Sequence, residues 1–266
     1  MIQQALLWAA AGTGFTFLMT TIGAAMVFFM KRQSSALMQQ IFLGFASGVM
    51  IAASIWSLLI PAIDEAAQNG QPGWIPAAGG FILGLVLMLT LDGLMPHLHS
   101  GAEQAEGLPS SFRRTTLLVL AVTLHNIPEG MAVGLSFALA AQASQGGTAA
   151  LSAAAALALG IGIQNFPEGA AVALPLHQEG LSRTRSFVYG SLSGIVEPIF
   201  GVLVVLCASA LTPFMPWLLS AAAGAMLYVV VEELIPEAHL GEHSHPGTLG
   251  VMAGFLVMMV LDTALG

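Results

Sequence analysis

Long apolar stretches recur along the whole chain and limit what it can fold into. Eight of them approach or exceed the roughly 20 residues with which a helix crosses the apolar core of a bilayer. They cover about residues 5–30, 39–60, 77–97, 115–141, 149–177, 186–210, 214–237 and 248–265. Only 8% of the residues are charged, whereas about a quarter are charged in soluble domains. We therefore predict an all-α integral membrane protein in which residues 1–266 form a single transmembrane domain of eight helices.

The first stretch predicts a retained helix rather than a cleaved leader. No basic residue precedes its apolar run, which is longer than the core of a signal peptide, and Lys31 and Arg32 follow it. Cys207 is the single cysteine of the chain and lies inside the sixth stretch. A disulfide within the chain and a cluster of thiolate ligands are therefore both excluded.

The basic residues indicate how the chain is oriented. All six lie in three of the connections between stretches, at Lys31, Arg32, Arg113, Arg114, Arg183 and Arg185. With eight spans these connections share one face, and short loops rich in Lys and Arg stay in the cytoplasm. We therefore expect both termini outside the cytoplasm and the protein in the inner or plasma membrane, in contact with lipid. The net charge of −8 is spread over loops and spans, and no basic patch indicates nucleic-acid binding.

A motif of ten residues occurs twice, in the fourth and fifth stretches. Residues 124–133 read LHNIPEGMAV and residues 163–172 read IQNFPEGAAV. Because consecutive spans cross in opposite directions, the two copies run antiparallel, as in an inverted repeat with its binding site near the bilayer midplane.

Weaker echoes extend this repeat to the outer spans. Leu-Ile-Pro occurs at 59–61 and at 234–236, and Leu-Asp occurs at 91–92 and at 261–262. Each pair again crosses the membrane in opposite senses. We predict a 3+2+3 inverted-repeat bundle, in which two blocks of three helices flank the central pair.

Paired polar residues on the central helices point to one site. His125 and Glu129 are four residues apart in span 4, as Gln164 and Glu168 are in span 5, so each pair shares a helix face. Glu197 lies halfway along span 6 and could add a third carboxylate.

Two prolines within these motifs also indicate an unusual backbone. Pro128 and Pro167 have no N–H group, so the carbonyls of Leu124 and Ile163 lose their helical partners. Such carbonyls are tolerated at this depth only beside protein, water or ligand.

The glutamates of the spans need a counter-charge that the chain does not supply. No lysine or arginine occurs in any of the eight spans, and an ionised side chain at the bilayer centre costs about 2.5–3.5 kcal/mol on insertion scales. Protons or a bound cation must therefore provide the positive charge. Histidine among carboxylates favours a divalent transition metal, zinc first, with iron, manganese, cobalt and cadmium as alternatives. Taken one at a time, Asn126, Gln164 and Asn165 could equally be packing contacts between helices.

Further polar residues mark a route on either side of the site. In span 2, Met50, Ser57 and Asp64 recur every seven residues and lie on one stripe towards the outer mouth. Candidates for taking up an ion on the cytoplasmic side are His97, His99, His177, Glu233, His239, His243 and His245. Ordinary polar helix ends, core packing of Met50 and solvated loop histidines explain the same residues without a role in transport.

Several classes of function remain open from the residues alone. A metal carrier and a metal channel would use the same side chains, and a transporter of protons alone would neutralise the carboxylates without a metal. A membrane-embedded metalloenzyme is disfavoured, because the chain lacks the His-Glu-x-x-His pattern and Gln164 occupies the histidine position of the second motif copy. We predict a transporter and not an enzyme, with the metal as transported substrate rather than catalytic cofactor.

Both motif copies and the Glu197-Pro198 pair resemble the ZIP family of metal-ion transporters, in particular its bacterial zinc-uptake branch with GufA-like members. The resemblance covers nearly the whole chain. It implies import towards the cytoplasm, a homodimer, and an elevator-like movement of a block that includes spans 4 and 5. The main site that it implies is formed by His125, Glu129, Gln164 and Glu168, with Met50 nearby. An adjoining second site would be lined by Asn126, Glu129, Asn165, Glu168 and Glu197.

One residue departs from the pattern of some relatives. Where they carry an aspartate in the span 5 motif, this chain has Asn165. The second site therefore lacks one negative charge, which puts stable occupancy by two metal ions in doubt.

Overall fold

All regular structure in the described part of the chain is helical. The computed structural model describes residues 2–29, 36–94, 114–142, 147–238 and 245–265. No strand occurs in these ranges. The prediction of an all-α membrane protein is confirmed.

Several helices join end to end into longer rods. The α-helices are α1 (Ile2–Ala24), α2 (Ala36–Ala53), α3 (Ile60–Gln68), α4 (Trp74–Leu94), α5 (Arg114–Gln142), α6 (Gly147–Gln178), α7 (Arg183–Ser193), α8 (Val196–Leu211), α9 (Met215–Val229), α10 (Ile235–Ala238) and α11 (His245–Leu265). The 3-10 turn Ala25–Phe28 extends α1, and the 3-10 turn Thr212–Phe214 connects α8 to α9. π-helical turns at Ser54–Leu59 and Val230–Leu234 join α2 to α3 and α9 to α10. Each predicted span lies on one helix or one such rod, except the sixth, which is divided into α7 and α8 at Gly194 and Ile195.

Seven helices or rods in the described ranges are long and apolar enough to cross a membrane. The helix α5 is not among them. Its 29 residues would reach about 44 Å at 1.5 Å per residue, but several of its side chains, including that of His125, lie outside the described part of the structure. The number of eight spans therefore stays a prediction, although α5 packs between α6 and α8 in the middle of the fold.

The packing of the helices follows the inverted repeat. The main neighbour of α1 is α6, and that of α8 is α5. In the same way α2 packs against α11, and α9 packs against α4. The repeat relates spans 1, 2 and 3 to spans 6, 7 and 8, and span 4 to span 5. It therefore converts the pair of α1 and α6 into the pair of α8 and α5, and the pair of α2 and α11 into the pair of α9 and α4. The contacts therefore have the symmetry that the weak sequence echoes indicated.

The two π-helical turns occupy equivalent positions in the repeat, and proline explains both. Pro61 and Pro236 each stand two residues after a π turn, and neither has an N–H group for the carbonyl four residues earlier. The N–H groups of Ile60 and Ile235 instead bond to carbonyls five residues back, at Ile55 and Val230. This spacing defines a π turn.

The helices divide into two groups. We call α1 and α5–α8 the motif group, and α2–α4 and α9–α11 the flanking group, because each set packs mainly on itself. Contacts between the groups run through α5 and α6, which meet α2, α9 and α11. The helices that carry the repeated motif therefore pack both within their own group and against the other.

Glycines bring neighbouring backbones close to the motif. A Cβ atom at Gly23 of α1 would collide with the carbonyl of Phe166, and one at Gly169 of α6 would collide with the carbonyl of Thr20. On the other side, a Cβ atom at Gly130 of α5 would meet the backbone of Glu197 on α8. Because these positions are glycines, α1 and α8 can lie directly against the helices that carry the motif glutamates.

Candidate metal site

The two motif copies meet inside the motif group. Helices α5 and α6 continue through Pro128 and Pro167 and pack against each other. Glu129 is 1% exposed and Glu168 is 7% exposed, and the two carboxylates lie close enough for their charges to repel each other. Both acids therefore point into the protein and not towards lipid.

Gln164 connects the two copies. Its Nε2 donates to Glu129 Oε1 at 2.6 Å and lies 3.5 Å from Asn165 Oδ1. Two further oxygens, Glu129 Oε2 and Gln164 Oε1, are buried and accept no hydrogen bond from any described residue. A buried acceptor without a partner costs about 1–3 kcal/mol. These two oxygens are therefore suited to an incoming cation.

A second set of hydrogen bonds surrounds Glu197, which is fully buried on α8. Asn165 Nδ2 donates to Glu197 Oε2 at 2.9 Å, and Thr20 Oγ1 donates to Glu197 Oε1 at 3.4 Å. The same Nδ2 lies 3.4 Å from the carbonyl oxygen of Thr16. The charge of Glu197 is near enough to those of the motif glutamates for mutual repulsion.

Asn126 occupies the position of Asn165 in the first motif copy but has different partners. Its Nδ2 donates to the carbonyl oxygen of Ser193 at 3.1 Å. Its Oδ1 is buried and has no hydrogen-bond partner in the ranges that the structure covers. Asn126 therefore adds a third oxygen that an ion or a water could satisfy.

His125 is placed by its backbone alone. It lies on α5 one turn before Glu129, and its side chain is outside the described part of the structure. Among the described side chains, no three from His, Cys, Asp and Glu gather where they could hold a metal ion. A full ligand set on these helices therefore needs His125 or Gln164 in addition to the glutamates.

The residues predicted to mark the outer route lie in different environments. Ser57, in the first π turn, donates to Asp262 Oδ1 at 2.6 Å. It also lines a cavity of about 140 Å³ at the boundary of the two groups, together with Ser136 and with alanines of α5 and α6. Asp64 is exposed on α3, and Met50 is fully buried on α2, which packs against α6. Their part in ion access stays a prediction.

The predicted exit residues are only partly described. Outside the described residues lie His97, His99, His239 and His243. The Nδ1 atom of His177 lies 2.8 Å from the carbonyl oxygen of Leu181, where α6 ends. Glu233 is buried in the second π turn, and His245 is exposed at the start of α11. The role of these residues in ion release stays a prediction.

Two hydroxyl–carboxylate bonds were not predicted. Ser57 and Asp262 link span 2 to span 8, and Tyr228 Oη donates to Asp92 Oδ2 at 3.0 Å, which links span 7 to span 3. The inverted repeat relates these two pairs of spans. The Leu-Asp echo in the sequence was the available signal, since it contains both aspartates.

Known proteins match this chain over almost its full length. The family model described as "ZIP Zinc transporter" matches residues 99–262. The chain belongs to the ZIP family. Among its ZIP relatives, human zinc transporter ZIP11 is 37% identical, with 97% of each chain covered. Zinc transporter ZIPB of Bordetella bronchiseptica is 41% identical over 100% of this chain and 82% of the relative. Zinc transporter GufA of Myxococcus xanthus is 42% identical over 84% of this chain and 85% of the relative.

Among the classes of function that the residues left open, ZIP membership separates the transporters from the enzyme. The matching relatives are named as transporters. The prediction of a multi-pass membrane transporter, and not an enzyme, is therefore confirmed. The alternative of a membrane-embedded metalloenzyme is set aside.

Proposed function

We propose that this ZIP protein carries zinc into the cytoplasm through one main site on α5 and α6. The ligands would be His125, Glu129, Gln164 and Glu168, with Met50 on the neighbouring α2. The buried oxygens without hydrogen-bond partners, Glu129 Oε2 and Gln164 Oε1, give this proposal its strongest support. Imidazole nitrogen and carboxylate oxygen are ligands that zinc accepts in proteins, and two carboxylates would balance its double charge.

Zinc is the first choice of substrate because the relatives are named for it. The same donors also suit ferrous iron, manganese and cadmium, which accept nitrogen and oxygen together. Competition by each of these ions against zinc uptake would rank them. A channel would use the same residues, and an uptake rate that saturates at low zinc concentration favours a carrier.

The proposed movement is a displacement of the motif group against the flanking group. The division of the helices into two groups supports it, because α5 and α6, which carry the proposed ligands, are the helices that contact the flanking group. We place the protein in the inner or plasma membrane, with both termini outside the cytoplasm. The exposed Arg183 and Arg185 at the start of α7 would then lie on the cytoplasmic side.

Lipid and a second copy of the chain are the proposed neighbours in the membrane. On α4, Ile82, Leu83 and Val86 are half exposed or more, and lipid would cover such an apolar surface. The homodimer rests on the family resemblance. Cross-linking in native membranes, followed by mass determination, would test it.

The first test is loss of a motif carboxylate. Glu168→Gln should lower zinc uptake roughly tenfold or more, because a hydrogen bond or contact to a charged group is worth about 1.5–3 kcal/mol. Initial uptake would be measured in proteoliposomes that contain a zinc-sensitive dye. Glu179→Gln, at an exposed position just after the same helix, is the matched control and should transport normally. Equal uptake by Glu168→Gln and the native protein would contradict the proposal.

A further inference from the structure

We infer that Asn165 restricts this transporter to one ion per protomer, because hydrogen-bond donors of the protein itself already hold the carboxylate of Glu197. The inference rests on the proposed zinc site and concerns the second, adjoining site. It assigns Asn165 the role of setting ion number, and it removes Glu197 from the ligands.

The carboxylate of Glu197 is fully buried and both of its oxygens accept hydrogen bonds. The donors are the amide of Asn165 and the hydroxyl of Thr20. Neither group carries a negative charge that would attract a cation. Hydrogen bonds to an ionised carboxylate are stronger than those between neutral groups, so an ion at Glu197 would have to replace favourable contacts.

The amide of Asn165 can take only one orientation without losing hydrogen bonds. Its Nδ2 faces two acceptors, Glu197 Oε2 and the carbonyl oxygen of Thr16. Its Oδ1 faces a donor, Gln164 Nε2. Turning the amide to offer Oδ1 to an ion beside Glu197 would place Nδ2 against the NH₂ group of Gln164 and leave Thr16 without this donor. The amide therefore presents hydrogen atoms, and not an oxygen ligand, to the second site.

The wall opposite Glu197 is neutral and closely packed. Thr13, Thr16 and Thr20 of α1 are at most 1% exposed, and the hydroxyls of Thr13 and Thr16 donate to carbonyls of their own helix. A Cβ atom at Gly194 would lie 3.1 Å from Glu197 Oε1 and 3.0 Å from Thr20 Oγ1. Since even a methyl group would be tight there, this side of Glu197 offers neither an anionic ligand nor free space.

Charge balance also favours a single bound ion. The three buried glutamates, Glu129, Glu168 and Glu197, supply three negative charges when ionised. One divalent ion leaves a single negative charge, which the donors around Glu197 stabilise. Two divalent ions would leave a positive charge, and no described side chain there compensates it. An aspartate in place of Asn165 would supply the fourth negative charge that two ions need.

The experiment counts bound zinc after equilibrium dialysis of the purified full chain at saturating zinc, with metal and protein measured by mass spectrometry and amino-acid analysis. The Glu129→Gln/Glu168→Gln double variant gives the background from loop histidines. Above this background, the native protein should bind one zinc ion per protomer and Asn165→Asp should bind two. Asn165→Asp/Glu197→Gln should return to one, because the added ion needs both carboxylates.

Each outcome separates this inference from the function it rests on. Two ions on the native protein, or one ion on a folded Asn165→Asp protein, would overturn the inference alone. No zinc above background on the native protein would overturn the proposed function together with it. Glu197→Gln keeps an oxygen for Asn165 Nδ2 and should still bind one ion. Loss of that ion would overturn the inference even where Asn165→Asp fails to fold.

Discussion

Gln164 has both a hydrogen-bond donor and an acceptor at the end of its side chain. The donor bonds to Glu129, and the acceptor has no hydrogen-bond partner among the described residues. In the first motif copy the same position is His125, which offers an acceptor only when its ring is neutral. The repeat is therefore symmetric in backbone but asymmetric in chemistry where the ion is proposed to bind.

Ser57 supplies the donor to a buried carboxylate, so its loss should weaken the fold. In Ser57→Ala, Asp262 Oδ1 loses its donor, and Asp262 Oδ2 has none in the described structure. An unsatisfied buried group costs about 1–3 kcal/mol. For a chain of this size the melting temperature falls by about 2–4 °C per kcal/mol, so we expect it to fall by several degrees. The apparent melting temperature of the purified protein, followed by tryptophan fluorescence, would measure it. Ser57→Thr keeps the hydroxyl and should melt near the native temperature; equal melting of Ser57→Ala and native protein would contradict this account.

Residue identity and spacing were enough to predict which side chains share a helix face, but not their partners across helices. The pairing of His125 with Glu129 and of Gln164 with Glu168 follows from four-residue spacing within one helix. Ser57 and Asp262 are 205 positions apart. Their contact depends on α2 and its π turn packing against α11, and no local pattern contains that information.

Replacing Gly23 or Gly14 of α1 by alanine should change the stability of the protein in opposite directions. Gly23→Ala should destabilise the protein by about 1–3 kcal/mol, because the added methyl group meets the backbone carbonyl of Phe166 and α1 must shift. Gly14→Ala should be neutral or stabilising by up to about 1 kcal/mol, because nothing lies within 4 Å of its new Cβ. Thermal unfolding in the same detergent compares the two variants. A Gly23→Ala protein at least as stable as Gly14→Ala would show that the helices are not packed backbone to backbone.

Hydropathy located the helices but not all of their ends. The second span was predicted to stop near residue 60, whereas the rod continues through α3 to Gln68. This last segment contains the exposed Asp64. Hydropathy marks where lipid contact ends, while helical hydrogen bonding continues beyond it. The π turns were not predicted either. A proline in the sequence shows that one backbone hydrogen bond of the helix is lost, but it does not show how the backbone adapts.

Because the helices form two groups, we predict that a covalent cross-link between the groups stops transport. Gly160 of α6 contacts Met258 of α11 across the boundary, whereas Gly162 contacts Phe15 of α1 within the motif group. In a Cys207→Ser background, bridging Gly160→Cys to Met258→Cys with a short thiol cross-linker should abolish zinc uptake in proteoliposomes. The bridge should act by preventing the two groups from moving relative to each other.

The pair Gly162→Cys and Phe15→Cys is the matched control for this bridge. It lies two residues further along α6, and its cross-link should leave uptake close to that of the uncross-linked variant. Release with a reducible linker should restore uptake in the first pair. Full transport by a completely bridged Gly160–Met258 pair would exclude relative movement of the groups.

The connection from α8 to α9 limits how far such a movement can go. It consists of the 3-10 turn Thr212–Phe214, and it is the direct covalent link between the motif group and the second half of the flanking group. From Leu211 to Met215 there are four residue steps, which cover about 8 Å in a 3-10 helix and at most about 13–14 Å when extended. The ends of α8 and α9 can therefore part by only about 5–6 Å before a helix unwinds. A larger displacement at the ion site must be a rotation about this connection, and the displacement is then greatest at the opposite end of the bundle.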